Sequence, residues 1–188
     1  YLIKEVNSSK LISIICDGMG KGMNASIESS LTLKLLDNLT NASVSSDTAL
    51  QILNTFYYVQ DYEEKYTTLD YLQIDQRSGE ALFYKAGATT SFIFHDNGSV
   101  DKIENENLPY GLNELIDVKR IKLRQNDIIV MSSDGVFENV SNSKDLEEFI
   151  LGIRGLDAQK MAYEILNYSR YADVLSKDDM SVIVLKVF

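Results

Sequence analysis

Residues 12–22 read ISIICDGMGKG, and this stretch decides how the rest of the chain is interpreted. The mostly apolar run from Ile12 to Cys16 predicts a buried strand, and the strand leads directly into an acid, Asp17. Three glycines follow at every second position: Gly18, Gly20 and Gly22. Because glycine has no side chain, its backbone can approach a neighbour closely and its carbonyl can turn towards a cation. The stretch therefore predicts a strand end at which Asp17 and Gly18 lie together.

Two later stretches also place acids at strand ends. Residues 128–137, IIVMSSDGVF, are again an apolar run that leads into an Asp-Gly pair, here at Asp134. Residues 177–187, KDDMSVIVLKV, place Asp178 and Asp179 directly before a strand rather than after one. If this last strand runs antiparallel to the other two, all of these acids gather at one edge of a sheet.

Clustered carboxylates have to take up protons or bind cations, because like charges repel one another. Two unit charges about 4 Å apart repel by roughly 4 kcal/mol at an effective dielectric constant near 20. Oxygen ligands suit Mg²⁺ or Mn²⁺, so the acids indicate a divalent-metal site. Other interpretations stay open at this point, because Asp-Gly is a common turn sequence and Asp178-Asp179 also fits a solvated loop. A phosphate-binding glycine loop does not fit, since GxGxxG requires a glycine where Met23 stands.

Composition narrows the class of protein. The 188 residues carry 28 Asp and Glu against 18 Lys and Arg, a net charge of −10, without the basic stripe that nucleic-acid binding requires. Such a chain repels phosphorylated substrates unless a cation lies between them. No apolar run approaches the roughly 20 residues of a membrane-spanning helix. The single cysteine, Cys16, fits a reducing compartment, so we predict a cytoplasmic chain with any membrane tether outside it.

The order of the predicted elements favours an α+β fold, because strands occur in runs joined by short turns. We predict a four-layer α/β/β/α sandwich of two mostly antiparallel sheets flanked by helices, in a single domain of residues 1–188. An apolar stripe on the first helix is predicted to face the core: Met23, Ile27, Leu31 and Leu35, widened by Leu36 and Leu39. The predicted helices span 20–39 and 47–61, follow Ser143 and begin at Asp157. The predicted strands span 2–6, 11–16, 68–75, 80–86, 91–95, 118–123, 127–132 and 181–187.

Six stretches together resemble a known family, in the same order and over nearly the whole chain. They are CDGMGKG with its following helix, TTLDYLQID, YKAGATTSFIF, NLPYGL, DIIVMSSDGVFEN and DDMSVIVLKV. The chain resembles the metal-dependent (2C-type, PPM) protein serine/threonine phosphatases, and within them the catalytic domain of the stage II sporulation protein E type. The resemblance implies the sandwich fold and hydrolysis of a phosphoserine or phosphothreonine by a metal-activated water, without a phosphoenzyme.

The resemblance also implies a set of metal ligands for two Mn²⁺ or Mg²⁺ ions. By this likeness Asp17 bridges both ions and Gly18 offers its carbonyl. Asp134 and Asp178 are the later carboxylate ligands, and Asp179 lies just behind them. Asp17, Asp134 and Asp178 are therefore also the expected catalytic residues.

One departure from the family pattern keeps an alternative function open. The family carries a further acid in a Gly-Asp-Ser-like stretch one strand earlier, and Tyr1 stands about where that stretch would end. We therefore expect a domain without its first strand. The alternative is a non-catalytic signalling module of the same fold with an incomplete metal site.

The resemblance further implies the partners. The expected substrate is a phosphorylated anti-sigma factor antagonist in bacterial signalling during sporulation. The first two helices are expected to act as a regulatory element, through a homodimer or a contact with a regulatory domain. Nucleic acid and membrane contacts are not expected. We predict that His95 is an exposed turn residue and that Cys16 is a small core residue rather than a nucleophile.

Overall fold

The computed structural model describes most of the chain, namely residues 1–18, 22–59, 67–104, 108–109, 118–137, 143–172 and 179–188. The described strands are β1 (Leu2–Val6), β2 (Lys10–Gly18), β3 (Thr67–Asp75), β4 (Glu80–Ala86), β5 (Ser91–Phe94), β6 (Val100–Ile103), β7 (Val118–Lys122), β8 (Ile128–Ser132) and β9 (Val182–Lys186). The described helices are α1 (Met23–Asn41), α2 (Ser46–Val59), α3 (Asp134–Phe137), α4 (Ser143–Gly152) and α5 (Ala158–Ala172). The α+β prediction, with two antiparallel sheets and helices, is confirmed.

The first compact unit comprises Tyr1–Ala88 and Asn105–Lys122. Its sheet has the order β1-β2-β3-β4-β7, and every neighbouring pair of strands is antiparallel. The apolar side chains on one sheet face pack against α1 and α2 around Leu36, Leu53 and Tyr57, all 0% exposed. This packing fixes the helix pair on the strand that carries Asp17.

The second compact unit comprises Thr89–Glu104 and Leu123–Phe188. Its sheet has the order β6-β5-β8-β9 and is antiparallel throughout. All five residues of β8 are buried, which confirms the prediction of an interior strand. Side chains of α4 and α5, among them Ile150 and Met161, pack against β5 and β8 in one core. β9 pairs antiparallel with β8, as the gathering of the acids requires for these two strands, and its direction relative to β2 stays a prediction.

The apolar stripe predicted on α1 faces the core in the later turns, where Leu36 is buried and Leu35 and Leu39 pack against the core. The orientation predicted for its first turns is wrong. Met23, Ile27 and Leu31 are 79%, 54% and 41% exposed, whereas the buried row of the helix is Ala25, Glu28, Thr32 and Leu36. Residues spaced strictly four apart are offset by about 40° around the helix axis at each step. Such a row therefore does not stay on one face of a helix with 3.6 residues per turn. The buried row has spacings of three and four, which hold it on one face.

Two short elements were not predicted. β6 is an edge strand with exposed Asp101 and Lys102, so its sequence shows no apolar run. The Asp-Gly pair after β8 opens the short helix α3 instead of forming a plain turn. No helix in the described ranges is long and apolar enough to cross a membrane.

Candidate active site

In the first unit, Asp17 and Gly18 are the last two residues of β2. Asp17 is half-buried and Gly18 is buried. The main-chain carbonyl of Asp17 accepts hydrogen bonds from the hydroxyls of Thr67, at 2.9 Å, and Thr68, at 3.3 Å. The backbone at this strand end is therefore held by the start of β3, with which it pairs in register.

Gly18 has to be glycine because of the close approach of α1. A Cβ at this position would lie 2.2 Å from the carbonyl oxygen of Ala25 and 2.9 Å from its Cα and carbonyl carbon. Gly18 is absent from the residues with positive φ, so space rather than conformation decides the residue type. The pairing of β1 with β2 reaches only to Ile14, so Gly18 lies beyond the part of β2 that pairs with β1.

Cys16 does not offer a thiolate beside Asp17. Its thiol donates to the carbonyl of Ser29 at 3.3 Å. The pKa of Cys16 is raised to about 12, mainly by burial, with a smaller increase from the charge of Asp17 and a lowering by the amino terminus. The thiol therefore stays protonated near neutral pH, as expected for a residue packed against the core of the first unit.

In the second unit, Asp134 begins α3 directly after β8 and Ser133. The Asp134 side chain is half-buried, and its Oδ1 accepts the Gly135 N–H at 2.8 Å. Asp179 is exposed and lies three residues before β9. Since Ser132 pairs with Val182, Asp134 and Asp179 lie at the same end of the two antiparallel strands.

Ser133 joins the two acid-bearing segments of this unit. Its N–H donates to the Ser181 carbonyl at 3.0 Å, and its hydroxyl accepts the Ser181 N–H at 2.9 Å. The same hydroxyl donates to the Asp179 carbonyl at 3.3 Å, so three hydrogen bonds fix residues 179–181 beside Asp134. Asp178 lies outside the described residues, and its role as a ligand stays a prediction, as does the meeting of Asp17 with the later acids.

Each of the two units offers oxygen donors of the type that Mg²⁺ and Mn²⁺ prefer. They are the Asp17 carboxylate and the Gly18 carbonyl in the first unit and the Asp134 carboxylate in the second, and a shared metal site stays a prediction. Among the described residues, no three His, Cys, Asp or Glu side chains cluster closely enough to hold a metal ion.

Several contacts of charged groups in the structure differ from the prediction or lie outside it. His95 is buried, not exposed as predicted: its Nδ1 lies 2.9 Å from Asp127 and its Nε2 lies 3.1 Å from Asp101. Burial lowers the pKa of His95, but the hydrogen bonds and charges of the two carboxylates outweigh burial and raise it. The prediction failed because the partners lie outside the turn that follows His95: Asp101 is in β6 and Asp127 directly precedes β8.

A buried ion pair crosses the first sheet between β3 and β4. Asp70 and Lys85 are directly opposite in register, and Lys85 Nζ lies 2.6 Å from Asp70 Oδ2. Their side chains are only 1% and 2% exposed. Burial lowers the pKa of Lys85, and the Asp70 carboxylate opposes this shift. No local pattern in the sequence could reveal this pair, because it depends on the register of β3 on β4.

Comparison with known proteins identifies the family. The family model described as Stage II sporulation protein E (SpoIIE) matches residues 7–188. The chain belongs to this family. The predicted resemblance to the stage II sporulation protein E type is thereby confirmed.

Relatives with this family name occur in two organisms. Stage II sporulation protein E of Bacillus subtilis (strain 168) is 30% identical over 100% of this chain and 23% of the relative. The Priestia megaterium protein of the same name is 34% identical over 100% of this chain and 33% of the relative. Phosphoserine phosphatase RsbU of Bacillus subtilis (strain 168) is 26% identical over 99% of this chain and 58% of the relative. The SpoIIE-family chain thus spans about a quarter to a third of its two SpoIIE relatives.

Known structures share the fold. One contains the PP2C phosphatase domain and a fragment of the regulatory domain of SpoIIE from Bacillus subtilis. It has a TM-score of 0.88 and 31% identity and covers 99% of this chain and 57% of that chain. The catalytic domain of the serine/threonine phosphatase PstP, in complex with two manganese ions, has a TM-score of 0.74 over 100% of this chain and 91% of that chain. At 16% identity, that second likeness shows the fold alone.

Proposed function

We propose that this SpoIIE-family domain hydrolyses phosphoserine or phosphothreonine on a small regulatory protein in a divalent-metal-dependent reaction. The observation that carries the proposal is the family match over residues 7–188, a range that includes both strand ends with Asp-Gly. The fold is shared with a phosphatase that was crystallised with two manganese ions.

The proposed ligands of two Mn²⁺ or Mg²⁺ ions are Asp17, the Gly18 carbonyl, Asp134 and Asp178, with Asp179 behind them. When bound, two such cations activate a water and neutralise phosphate charge. The described residues hold the proposed ligands in place. The packing of α1 on β2 restrains the Asp17–Gly18 peptide, and hydrogen bonds of Ser133 hold residues 179–181 beside Asp134. The cations also give a chain of net charge −10 a local attraction for a phosphorylated partner.

The proposed substrate is a phosphorylated anti-sigma factor antagonist, a small protein modified on serine or threonine. Support comes from the family and from the relative named phosphoserine phosphatase RsbU. The test is phosphate release, with Mn²⁺, from such an antagonist phosphorylated on serine and from a matched phosphotyrosine peptide. We expect release from the phosphoserine protein alone. Release from neither, together with no Mn²⁺ binding, would support a non-catalytic module instead.

We also propose that α1 and α2 form a contact with a second copy or with a regulatory domain of the same protein. The exposed apolar residues of α1 support this, as does a groove of about 650 Å³ along α2 that is lined by Ile52, Phe56 and Val59. Inside the unit, the hydroxyls of Thr32 and Tyr57 lie 2.6 Å apart and connect the two helices.

The contact can be tested by mass measurement in solution. Ile27→Glu places a charge on the exposed apolar face of α1, and Lys34→Glu changes an exposed charge on the same helix as a control. We expect Ile27→Glu, but not Lys34→Glu, to lower the mass of a self-associating chain or to abolish binding of the regulatory domain. Equal behaviour of both variants would contradict the contact.

A further inference from the structure

The carbonyl of Asp17 receives more hydrogen-bond donors than sheet pairing requires. In register, Thr68 lies opposite Asp17 and Thr67 lies opposite Gly18. Both threonine hydroxyls reach the same Asp17 oxygen, at 2.9 Å for Thr67 and 3.3 Å for Thr68. Thr67 is 0% exposed, so its hydroxyl bonds to protein atoms rather than to water.

The other end of the same peptide is restrained by α1. The Ala25 carbonyl leaves no space for a side chain on Gly18. The peptide group between Asp17 and Gly18 is planar, so its carbonyl orientation determines where the next residue begins. With hydroxyls on one side and a helix backbone on the other, neither residue can rotate independently of β3 and α1.

We propose that Thr67 and Thr68 are positioning residues that orient the Asp17 carboxylate and the Gly18 carbonyl for a divalent cation. This inference rests on the proposed function, because the cation is the one proposed there. Groups that hold metal ligands in place typically change metal affinity or activity by about 10- to 100-fold when they are removed. If the threonines only stabilise the strand, their replacement would change the free energy of unfolding and leave the cation affinity unaltered.

The experiment measures Mn²⁺ binding rather than turnover, by titrating the chain and detecting free Mn²⁺ by electron paramagnetic resonance. Thr67→Val keeps the shape and branching of the side chain and removes only the hydroxyl. We expect its Mn²⁺ affinity to fall by about 10- to 100-fold. Thr67→Ser keeps the hydroxyl and should restore most of the affinity, and Thr68→Val should lower it less because its bond is longer.

Ser169→Ala provides the matched control in the second unit. The Ser169 hydroxyl is 0% exposed and donates to the Ile165 carbonyl at 3.1 Å, so its removal also takes a buried hydroxyl from a main-chain oxygen. We expect Ser169→Ala to lower the melting temperature in EDTA while Mn²⁺ affinity stays at the wild-type value. Thermal melts of every variant in EDTA establish that the chains are folded.

The outcomes separate this role from the proposed function. If the wild-type chain binds Mn²⁺ and Thr67→Val and Thr68→Val bind it equally well, the positioning role is wrong and the phosphatase proposal stands. If Thr67→Ser loses as much affinity as Thr67→Val, the hydroxyl is not the cause and the role is also wrong. A wild-type chain that binds no Mn²⁺ overturns the proposed function and this role together.

Discussion

Replacing Gly18 with alanine tests the close approach between β2 and α1. The new Cβ would lie 2.2 Å from the Ala25 carbonyl oxygen, whereas an ordinary contact begins at 3.4 Å. The three nearest atoms all belong to the backbone, so no side-chain rotation can relieve the clash. The end of β2 or the first turn of α1 has to move by roughly 1 Å.

The energetic effect of Gly18→Ala follows from this displacement. Overpacking of this kind lowers the free energy of unfolding by about 1–3 kcal/mol. Because the new Cβ meets three backbone atoms, we expect a loss of about 3 kcal/mol for Gly18→Ala. With a urea dependence of about 3 kcal/mol per molar for a chain of this size, the unfolding midpoint should fall by about 1 M. Far-UV circular dichroism in urea measures the midpoint.

Gly152 supplies a matched control for the same substitution. It ends α4, it is absent from the positive-φ residues, and nothing lies within 4 Å of a Cβ built there. Gly152→Ala should leave the midpoint unchanged or raise the unfolding free energy by up to about 1 kcal/mol. Gly22→Ala is a poorer comparison, because its φ of 85° strains any other residue. Equal midpoints for Gly18→Ala and the wild type would refute the close packing of α1 on β2.

Three further predictions concern buried polar contacts. Lys85→Met should lower the free energy of unfolding by about 3–5 kcal/mol, because the Asp70 carboxylate loses its buried cation. Adding Asp70→Leu should restore most of the lost unfolding free energy, measured in urea. No recovery would contradict the pairing. Because folding raises the pKa of His95, the protonated ring stabilises the folded state at pH values below its ordinary pKa of 6.5. This stabilisation is lost as the pH rises through the raised pKa. Wild type and His95→Gln should therefore have similar stabilities at pH values above the raised pKa. A stability difference that is independent of pH would contradict this role of His95. Ser133→Ala should weaken Mn²⁺ binding by about 10-fold and Ser133→Thr should retain it; equal affinities in calorimetry would exclude a role for the hydroxyl.

The parts of the fold that sequence could predict are those with a local signal. The apolar run of β8 indicates an interior strand. The apolar residues before Asp17 and Asp134 and the glycines after them indicate that both acids lie at strand ends. The antiparallel direction of β9 relative to β8 is also confirmed by their pairing. These features depend on neighbouring residues, so a single sequence carries them.

The features that sequence could not predict depend on register between distant segments. Thr67 and Asp17 are 50 residues apart, and only the alignment of β3 on β2 brings the hydroxyl to the carbonyl. The burial of His95 depends on Asp127, which is 32 residues away. The outward face of α1 was misjudged because Met23 and its neighbours are apolar, and an apolar row alone does not distinguish a core from a contact surface.

The measurement that tests the central claim most directly is Mn²⁺-dependent phosphate release from an aryl phosphate by wild type, Asp134→Asn and Asp157→Asn. Asp157 is an exposed residue that accepts the Lys160 N–H at the start of α5, so its variant controls for the same substitution at a helix start. The account predicts release that requires Mn²⁺, persists in Asp157→Asn and disappears in Asp134→Asn. Release that continues without Mn²⁺, or that is equal in all three chains, would contradict it.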